Sequence, residues 1–320
     1  MSRSYPDKGY IAALEAYEPT TIVFGNGAFT QLSEEALLTD CKVLLMITGG
    51  TNSSMKSGAY QAFMNMALGL DSLETPLYSG VPAEPDVEVV RDIVRKMEET
   101  RPDAVAAVGG GSVLDAAKAA YLSWQTGLDI TELFGANIAS QHFPEKEFKR
   151  VICIPTTSGT GSEITPYSNI VDRAKNLKFI IVEKQITPAL ALIDPAFTGT
   201  MDRSLTAATA LDAMTHSIES LLNITAEANP EAEQWALESV RLIRFALPRV
   251  LKDPDNSAVE REMLSAAAAF GGMCIACRPT ALPHLCSYSM WGKIPHGLAV
   301  ALLLPHFWRY YLEGDAKIGE

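Results

Sequence analysis

The sequence predicts two domains of different class: an α/β domain with a mostly parallel sheet over residues 1–195, and an all-helical domain over residues 196–320. In the first part, short β-branched runs alternate with longer amphipathic segments, which is typical of parallel strands covered by helices. After about Pro195 the segments are long, rich in Ala and Leu, and lack strand alternation. The chain is also long enough for two hydrophobic cores.

The elements follow from local patterns. Strands are expected at the short β-branched runs Thr21–Phe24, Val43–Ile47, Ala104–Val108, Val151–Pro155 and Phe179–Val182. A helix is expected over 86–99, where Val87, Val90 and Ile93 follow helical spacing. In the second domain, long helices are expected over Leu205–Leu222, Ala232–Val250 and Glu260–Cys277.

Composition excludes several classes of protein. The net charge of −12 argues against binding along a nucleic-acid backbone, which requires basic patches. No apolar run approaches the roughly 20 residues that span a bilayer. The first residues lack the apolar region of a secretory signal, so we expect a cytoplasmic protein that binds neither nucleic acid nor membrane.

The five cysteines do not form a disulfide scaffold. Cys274 and Cys277 have the CxxC spacing of a zinc or redox motif. They lie in a stretch of small residues typical of a closely packed helix, and no second CxxC is present. We therefore interpret them as packing residues.

Two glycine-rich turns predict a nucleotide site. Gly109, Gly110 and Gly111 follow a buried strand and precede a helix, whose free N–H groups and dipole favour a phosphate. Ser112 is expected to cap that helix. The second turn, 156–162, is dense in hydroxyl groups and glycine and also follows a strand, although a capped surface turn would have the same composition. Two such loops at the carboxyl ends of strands favour a dinucleotide.

A candidate metal site lies in the helical domain. Asp212 and His216 are four positions apart and share one face of a helix, so both can contact one ion. Three of the five histidines, His284, His296 and His306, follow near the end of the chain. This arrangement indicates a mononuclear metal centre divided between helices, and a metal together with a nucleotide indicates redox chemistry.

With these motifs in order, the chain resembles the iron-containing (group III) alcohol dehydrogenase family. The matching motifs are Gly-Gly-Gly-Ser-x-x-Asp-x-x-Lys at 109–118, Pro-Thr-Thr-x-Gly-Thr-Gly-Ser-Glu at 155–163, Asp-x-x-x-His at 212–216 and Pro-His-Gly at 295–297. The resemblance implies a dehydroquinate synthase-like architecture with a helical domain longer than 196–320. It also implies a small aldehyde or alcohol substrate and a homodimer or larger homo-oligomer.

The resemblance assigns roles residue by residue. It places the family's diphosphate loop on Gly109, Gly110, Gly111 and Ser112, followed by Asp115. It places nicotinamide-side contacts on Thr156, Thr157, Thr160 and Lys178. The family's metal ligands fall on Asp212, His216, His284 and His296, which implies Fe²⁺, with Zn²⁺ or another divalent ion as alternatives. His306 matches no family ligand and is interpreted as a helix-start or core residue.

One departure from the family concerns the nucleotide. Many members carry an Asp that binds the adenosine ribose hydroxyl where this chain has Gly49. Removing the carboxylate removes its repulsion of a 2′-phosphate, and Ser53 is among the nearby hydroxyl groups that can donate to one. This favours NADP over NAD, the alternative being a site that accepts both.

Two further departures lie near the third and fourth ligands. Twelve positions separate His284 from His296, which would put them on different faces of one continuous helix. Gly292 and Pro295 predict a break, so that His296 begins a new helix or lies in a loop. Tyr288 replaces a further family histidine, as in the branch that includes phosphonoacetaldehyde reductases, and is a candidate proton donor or substrate contact.

We therefore expect a metal-dependent, NAD(P)H-linked alcohol dehydrogenase or aldehyde reductase. One alternative is a phosphonoacetaldehyde-type reductase, and another is a glycerol-dehydrogenase-like or dehydroquinate-synthase-like enzyme on the same architecture. A non-enzymatic alternative is a nucleotide-binding assembly module, which would have no need for the four candidate ligands.

Overall fold

The computed structural model describes residues 5–34, 38–50, 54–70, 72–146, 148, 151–223 and 226–314. It divides into two compact units. The sheet unit comprises Glu18–Thr157 and Ser162–Thr200, and the helical unit comprises the segment up to Tyr17, Ser158–Gly161 and the chain from Met201 onward. Their last junction lies five residues beyond the predicted one at 195/196. The predicted domain 1–195 contains the segment up to Tyr17 and the loop Ser158–Gly161, whereas in the structure both group with the helical unit.

The sheet unit is built on strands numbered here in chain order. Their bounds are β1 Thr21–Phe24, β2 Leu44–Gly49, β3 Leu77–Val81, β4 Ala104–Gly109, β5 Gly135–Ala136, β6 Val151–Pro155, β7 Tyr167–Asp172, β8 Leu177–Val182 and β9 Leu190–Ile193. The main sheet has the order β1-β9-β6-β4-β2-β3 with every pair parallel. A small second sheet has the order β5-β8-β7, with β7 and β8 antiparallel.

The helices, also numbered in chain order, alternate with these strands and then continue alone. Their bounds are α1 Tyr10–Glu15, α2 Ser54–Ser57, α3 Ala59–Leu68, α4 Val87–Thr100, α5 Gly111–Thr126, α6 Ile138–His142, α7 Arg203–Leu222, α8 Pro230–Lys252, α9 Ala258–Cys277, α10 Leu282–Ser287 and α11 His296–Gly314. Helix α4 begins where Asp86 accepts a hydrogen bond of 3.1 Å from the Val89 N–H. The predicted α/β and all-helical parts are thus both present.

The central strands of the main sheet, β2, β4, β6 and β9, are buried on both faces, which explains their uninterrupted apolar sequences. All six residues of β4, Ala-Val-Ala-Ala-Val-Gly, are buried. Val105 and Ala107 face a core shared with α4 and α5, whereas Ala106 and Val108 belong to a second core that includes Phe63 of α3. The C-terminal end of β4 is therefore held rigidly between two cores.

The helical unit includes the N-terminal segment. Asp202 begins α7 by accepting from the Leu205 N–H at 2.7 Å. Helix α9 is buried along almost its whole length. The segment up to Tyr17 contacts α9 and α8: Tyr10 Oη donates to Glu262 at 3.0 Å, and the Tyr17 ring packs against Trp235 with ring centroids 5.6 Å apart.

Several elements differ from the sequence-based expectation. Strand β8 belongs to the small sheet rather than to the main one. Strands β3, β5, β7 and β9 were not predicted, although Leu190–Ile193 is a fully buried apolar run. Among the residues that the structure describes, no helix is both long and apolar enough to cross a membrane.

Candidate functional site

The predicted Asp-His pair lies on α7, and both side chains are buried. Helical spacing places Asp212 and His216 on the same face, with Nε2 of His216 3.9 Å from Oδ1 of Asp212. Two further imidazoles approach that same oxygen: Nε2 of His284 at 3.5 Å and Nε2 of His296 at 3.7 Å. The structure thus brings all four predicted ligands around one carboxylate oxygen.

The helix is interrupted between His284 and His296, as predicted. His284 lies in α10 and is buried, whereas His296 is the first residue of α11. Gly292 has a φ of +70°, a conformation that other residues rarely adopt, so the chain can reverse between the two helices. His296 keeps 31% of its side-chain surface exposed, which leaves one side of the cluster accessible.

The four side chains are not equally close. In Asp212, His284 and His296, one donor atom from each lies within 4.8 Å of the others. The ring of His216 instead stacks on that of His284, with centroids 4.6 Å apart and planes 20° apart. His216 therefore approaches the carboxylate from the side of His284.

The charges of the cluster are coupled. Burial opposes the charged form of Asp212, but the neighbouring imidazoles of His216 and His296 lower its pKa below the ordinary value. Burial lowers the pKa of His216 to about 4, so this ring is neutral at pH 7. For His284, burial acts downward, but the carboxylates of Asp212 and Glu219 raise the pKa to about 9.

These residues fit a divalent cation. Within the described part of the chain, Oδ1 of Asp212 and Nε2 of His284 are buried and have no hydrogen-bond partner. A buried polar atom without a partner is costly, and a charged oxygen especially so. A cation between the carboxylate and the imidazole nitrogens would satisfy both atoms, and nitrogen and oxygen donors of this kind suit iron, zinc and similar ions.

The first glycine turn lies at the carboxyl end of β4. Strand β4 ends at Gly109 and α5 begins at Gly111. A methyl group on Gly109 would lie 2.6 Å from Cγ2 of Val113, so the backbone passes where no side chain fits. Gly110 lies against Thr157, whose side chain would be 3.3 Å from a methyl group added there. The turn leaves the N-terminus of α5 without a side-chain cap.

Ser112 is not the helix cap that the sequence predicted. It is the second residue of α5, and Gly110 occupies the capping position. The Ser112 hydroxyl instead accepts a hydrogen bond of 3.2 Å from the Glu84 N–H. Glu84 also faces Lys178 on β8, with Nζ 3.9 Å from Oε1. Lys178 and Ser112 therefore share Glu84 as a neighbour.

Asp115 forms contacts within the protein. Its carboxylate accepts from Ser162 Oγ at 2.5 Å and from the Asn169 N–H at 2.9 Å. One turn later, the fully buried Lys118 donates to the carbonyl oxygens of Ser162 and Thr165 at 2.8 and 3.1 Å. The Asp and Lys of this motif thus hold the start of the segment from Ser162 onward against α5.

The remaining predicted nucleotide residues occupy different positions. Thr156 is buried and donates its N–H to the Gly109 carbonyl at 2.9 Å, and Thr157 is half-buried beside Gly110. Thr160 is half-buried and groups with the helical unit. Gly49 is the buried last residue of β2, and Ser53 lies outside the described residues.

Both parts of the chain match models of known protein families. Residues 19–195 match the family described as iron-containing alcohol dehydrogenase, and residues 206–318 match the C-terminal domain of the Fe-containing alcohol dehydrogenase family. The chain belongs to the iron-containing alcohol dehydrogenase family. Its α/β and helical parts are those of this family's fold.

Individual relatives give the extent of the match. Aldehyde-alcohol dehydrogenase 2 of Entamoeba histolytica is 31% identical over 78% of this chain and 29% of its own length. The chain therefore spans about a third of the length of this relative and of the bifunctional aldehyde-alcohol dehydrogenase of Escherichia coli. NADPH-dependent butanol dehydrogenase of Clostridium saccharobutylicum is 32% identical, covering 94% of this chain and 76% of the relative.

Solved structures with similar sequences also have a similar fold. Sulfoacetaldehyde reductase of Bifidobacterium kashiwanohense, solved in complex with NAD⁺, superposes with a TM-score of 0.80. It is 27% identical, and the match covers 92% of this chain and 76% of that one.

Two polar residues of the site were missed from the sequence. Glu219 of α7 is fully buried and contacts His284. Ser287 is buried, donates to the His284 carbonyl at 2.7 Å and lies 3.4 Å from Nδ1 of His296. Glu219 carried a signal, since it follows Asp212 by seven positions and so shares its helix face.

Three other interpretations from the sequence, those of Tyr288, the CxxC cysteines and His306, can be compared with the structure. Tyr288 is half-buried at the end of α10, directly after Ser287. Cys274 is buried as predicted for a packing residue, whereas Cys277 is exposed. His306 is exposed in the middle of α11 rather than at a helix start or in the core, so that interpretation is wrong.

Proposed function

We propose that this chain is a metal-dependent, NAD(P)H-linked alcohol dehydrogenase or aldehyde reductase. The observation that carries the proposal is the buried Oδ1 of Asp212, which faces three imidazole nitrogens within 3.9 Å and, among the described residues, has no hydrogen-bond donor. Family membership supports the same chemistry.

Asp212, His216, His284 and His296 would hold the ion, with Fe²⁺ as the first candidate and Zn²⁺ as the alternative. A divalent ion bound there would supply Lewis-acid polarisation of a substrate oxygen. The protein residues bind and orient: α7 and α10 supply the buried ligands, and the partly exposed His296 borders the accessible side. The neutral ring of His216 is ready to donate a lone pair at pH 7.

The nicotinamide cofactor would supply the hydride. We assign its diphosphate to Gly109, Gly110, Gly111 and Ser112, since the uncapped N-terminus of α5 offers free N–H groups. The proposed nicotinamide-side contacts are Thr156, Thr157, Thr160 and Lys178. Asp115 accepts hydrogen bonds from Ser162 and Asn169, which lie between Thr160 and Lys178 in the sequence. NADP is the preferred nucleotide because Gly49 carries no carboxylate.

The basic residues nearest to the third and fourth ligands in the sequence, Arg278 and Lys293, give no support to an anionic substrate. Arg278 is buried and is paired with Glu233 at 3.2 Å and with the Asn223 carbonyl at 3.0 Å, so it is committed to the helical unit. Lys293 is exposed. Neither residue provides evidence for the anionic substrates of the phosphonoacetaldehyde and dehydroquinate-synthase alternatives, so a simple aldehyde or alcohol is the proposed substrate. Tyr288 remains the proposed proton donor or substrate contact.

The test compares metal content and NADPH-linked reduction of butanal in the wild-type protein and in Asp212→Asn. Asparagine keeps the shape and removes the charge, so bound metal should be lost. The catalytic efficiency kcat/KM should then fall at least about a hundredfold, because a metal supplies several kcal/mol of transition-state stabilisation. The matched control is His306→Ala, which removes an exposed histidine of α11. A folded, metal-free Asp212→Asn protein with the wild-type rate would contradict the proposal.

A further inference from the structure

A second carboxylate lies behind the candidate metal site. Glu219 follows Asp212 by seven positions and His216 by three, so all three side chains project from one face of α7. Its exposed fraction is 0%, although Glu is almost never fully buried unless it is paired. Such a residue requires a specific partner, and that partner is His284.

Glu219 uses both carboxylate oxygens to hold α10. Oε2 contacts Nδ1 of the His284 ring. Oε1 accepts from the Ala281 N–H at 2.9 Å and from the His284 N–H at 3.3 Å. These are the free N–H groups of a helix start, which a buried helix end must satisfy. One side chain therefore fixes both the backbone and the ring of His284.

The contact also determines which ring nitrogen can bind a cation. A carboxylate can only accept, so the nitrogen beside Glu219 must carry a proton. A cation that displaced the second proton of the ring would then bind the lone pair of the other nitrogen, Nε2. Nε2 is the atom that lies 3.5 Å from Oδ1 of Asp212 and that, within the described chain, has no hydrogen-bond partner.

We propose that Glu219 is a positioning residue for the metal: it keeps the proton of His284 on Nδ1, directs Nε2 toward Asp212, and adds negative charge behind the ligand. Carboxylates that hold metal-bound histidines in this way orient the ring and increase its basicity, and their loss costs about 10–100-fold in metal affinity or activity. This inference rests on the proposed function, since it presumes that an ion binds at Asp212.

The variant Glu219→Gln separates these roles from packing. Glutamine has nearly the same volume but one acceptor oxygen, which cannot serve both the ring and the two backbone N–H groups. The matched control is Ser220→Ala, which alters the next buried residue of α7; its hydroxyl bonds the Cys274 carbonyl at 3.3 Å and does not face the ligands.

The experiment titrates metal-stripped wild-type, Glu219→Gln and Ser220→Ala proteins with Zn²⁺ against a chelating dye and follows their thermal unfolding without metal. Glu219→Gln should bind Zn²⁺ about 10–100-fold more weakly, while Ser220→Ala stays within about threefold of wild type. If wild type and Glu219→Gln bind equally, the inference is overturned and the proposed function stands. If the wild type binds no ion, the proposed function itself fails.

A second measurement requires no folded variant at this position. Long-range ¹⁵N NMR of the Zn²⁺-loaded wild-type protein, with ¹⁵N-labelled histidine, reports which ring nitrogen of His284 carries a proton. A protonated Nδ1 supports the proposal. A protonated Nε2 would overturn it, because Glu219 would then face an unprotonated nitrogen.

Discussion

Gly297 lies so close to Ala208 that a methyl group on Gly297 would be 2.0 Å from the Ala208 carbonyl oxygen. The same methyl group would be 3.1 Å from Cβ of Asp212. The glycine after His296 therefore allows the first turn of α11 to lie directly on α7. This explains why Pro-His-Gly occurs as a unit: the glycine brings the histidine to the carboxylate.

Replacing Gly297 with Ala should move α11 away from α7, because the clash is with backbone and no flexible side chain can yield. We expect a loss of about 1–3 kcal/mol in unfolding free energy and metal binding at least about tenfold weaker. Metal titration and thermal unfolding check this. Gly314→Ala is the control, since a methyl group on that glycine of the same helix meets nothing within 4 Å. Wild-type metal affinity in Gly297→Ala would show that the close approach is unimportant.

Glu163 should make the stability of the protein depend on pH. Burial raises its pKa to about 7, against about 4.5 when unfolded, although Lys118 acts in the opposite direction. Because the pKa is raised, the contribution of Glu163 to stability is fully present below pH 4.5 and is lost as the pH rises through 7. Glu163→Gln should therefore gain up to roughly 3 kcal/mol over wild type at pH 8 and almost nothing at pH 4.5. Denaturant unfolding at the two pH values measures this, and an equal difference at both would refute the prediction.

Lys118 should be far more sensitive to substitution than a surface lysine. Its buried ammonium donates to two carbonyl oxygens, and Lys118→Met would leave both without this donor. We expect a loss of about 2–3 kcal/mol in unfolding free energy. The control Lys96→Met removes a surface ion pair with Glu99 and should cost less than about 1 kcal/mol. Equal losses in the two variants would mean that the buried hydrogen bonds contribute little.

The nucleotide preference should depend on the charge at position 49. Gly49→Asp places a carboxylate at the end of β2, where it would repel a 2′-phosphate and accept from a ribose hydroxyl. We expect the ratio of kcat/KM for NADPH to that for NADH to fall at least about tenfold. The uncharged isostere Gly49→Asn should retain the wild-type ratio. If both variants shift the ratio equally, size rather than charge determines the preference.

Local signals predicted much of this molecule. The pair Asp212 and His216 needed only helical spacing, and the break before His296 followed from Gly292 and Pro295. The buried strands β4 and β6 were visible as apolar runs because both of their faces are covered. In each case the deciding interaction lies within a few residues of the signal.

The predictions that failed depended on detailed backbone geometry or on distant parts of the chain. Ser112 has the chemistry of a cap, but the tight path past Val113 makes Gly110 the capping residue. Strand β8 has a strand pattern, but only its antiparallel pairing with β7 places it in the small sheet. Glu219 shares the face of Asp212, yet its role depends on the backbone of α10, more than sixty residues away.

The packing of the described segment up to Tyr17 within the helical unit has a consequence for biosynthesis. Tyr10 leaves the ribosome early, but its hydrogen-bond partner Glu262 is translated roughly 250 residues later, which takes about 10–50 s at typical elongation rates. During that interval the nascent N-terminus has no native docking surface. The sheet-forming residues translated in between can collapse before Tyr10 meets its partner on α9.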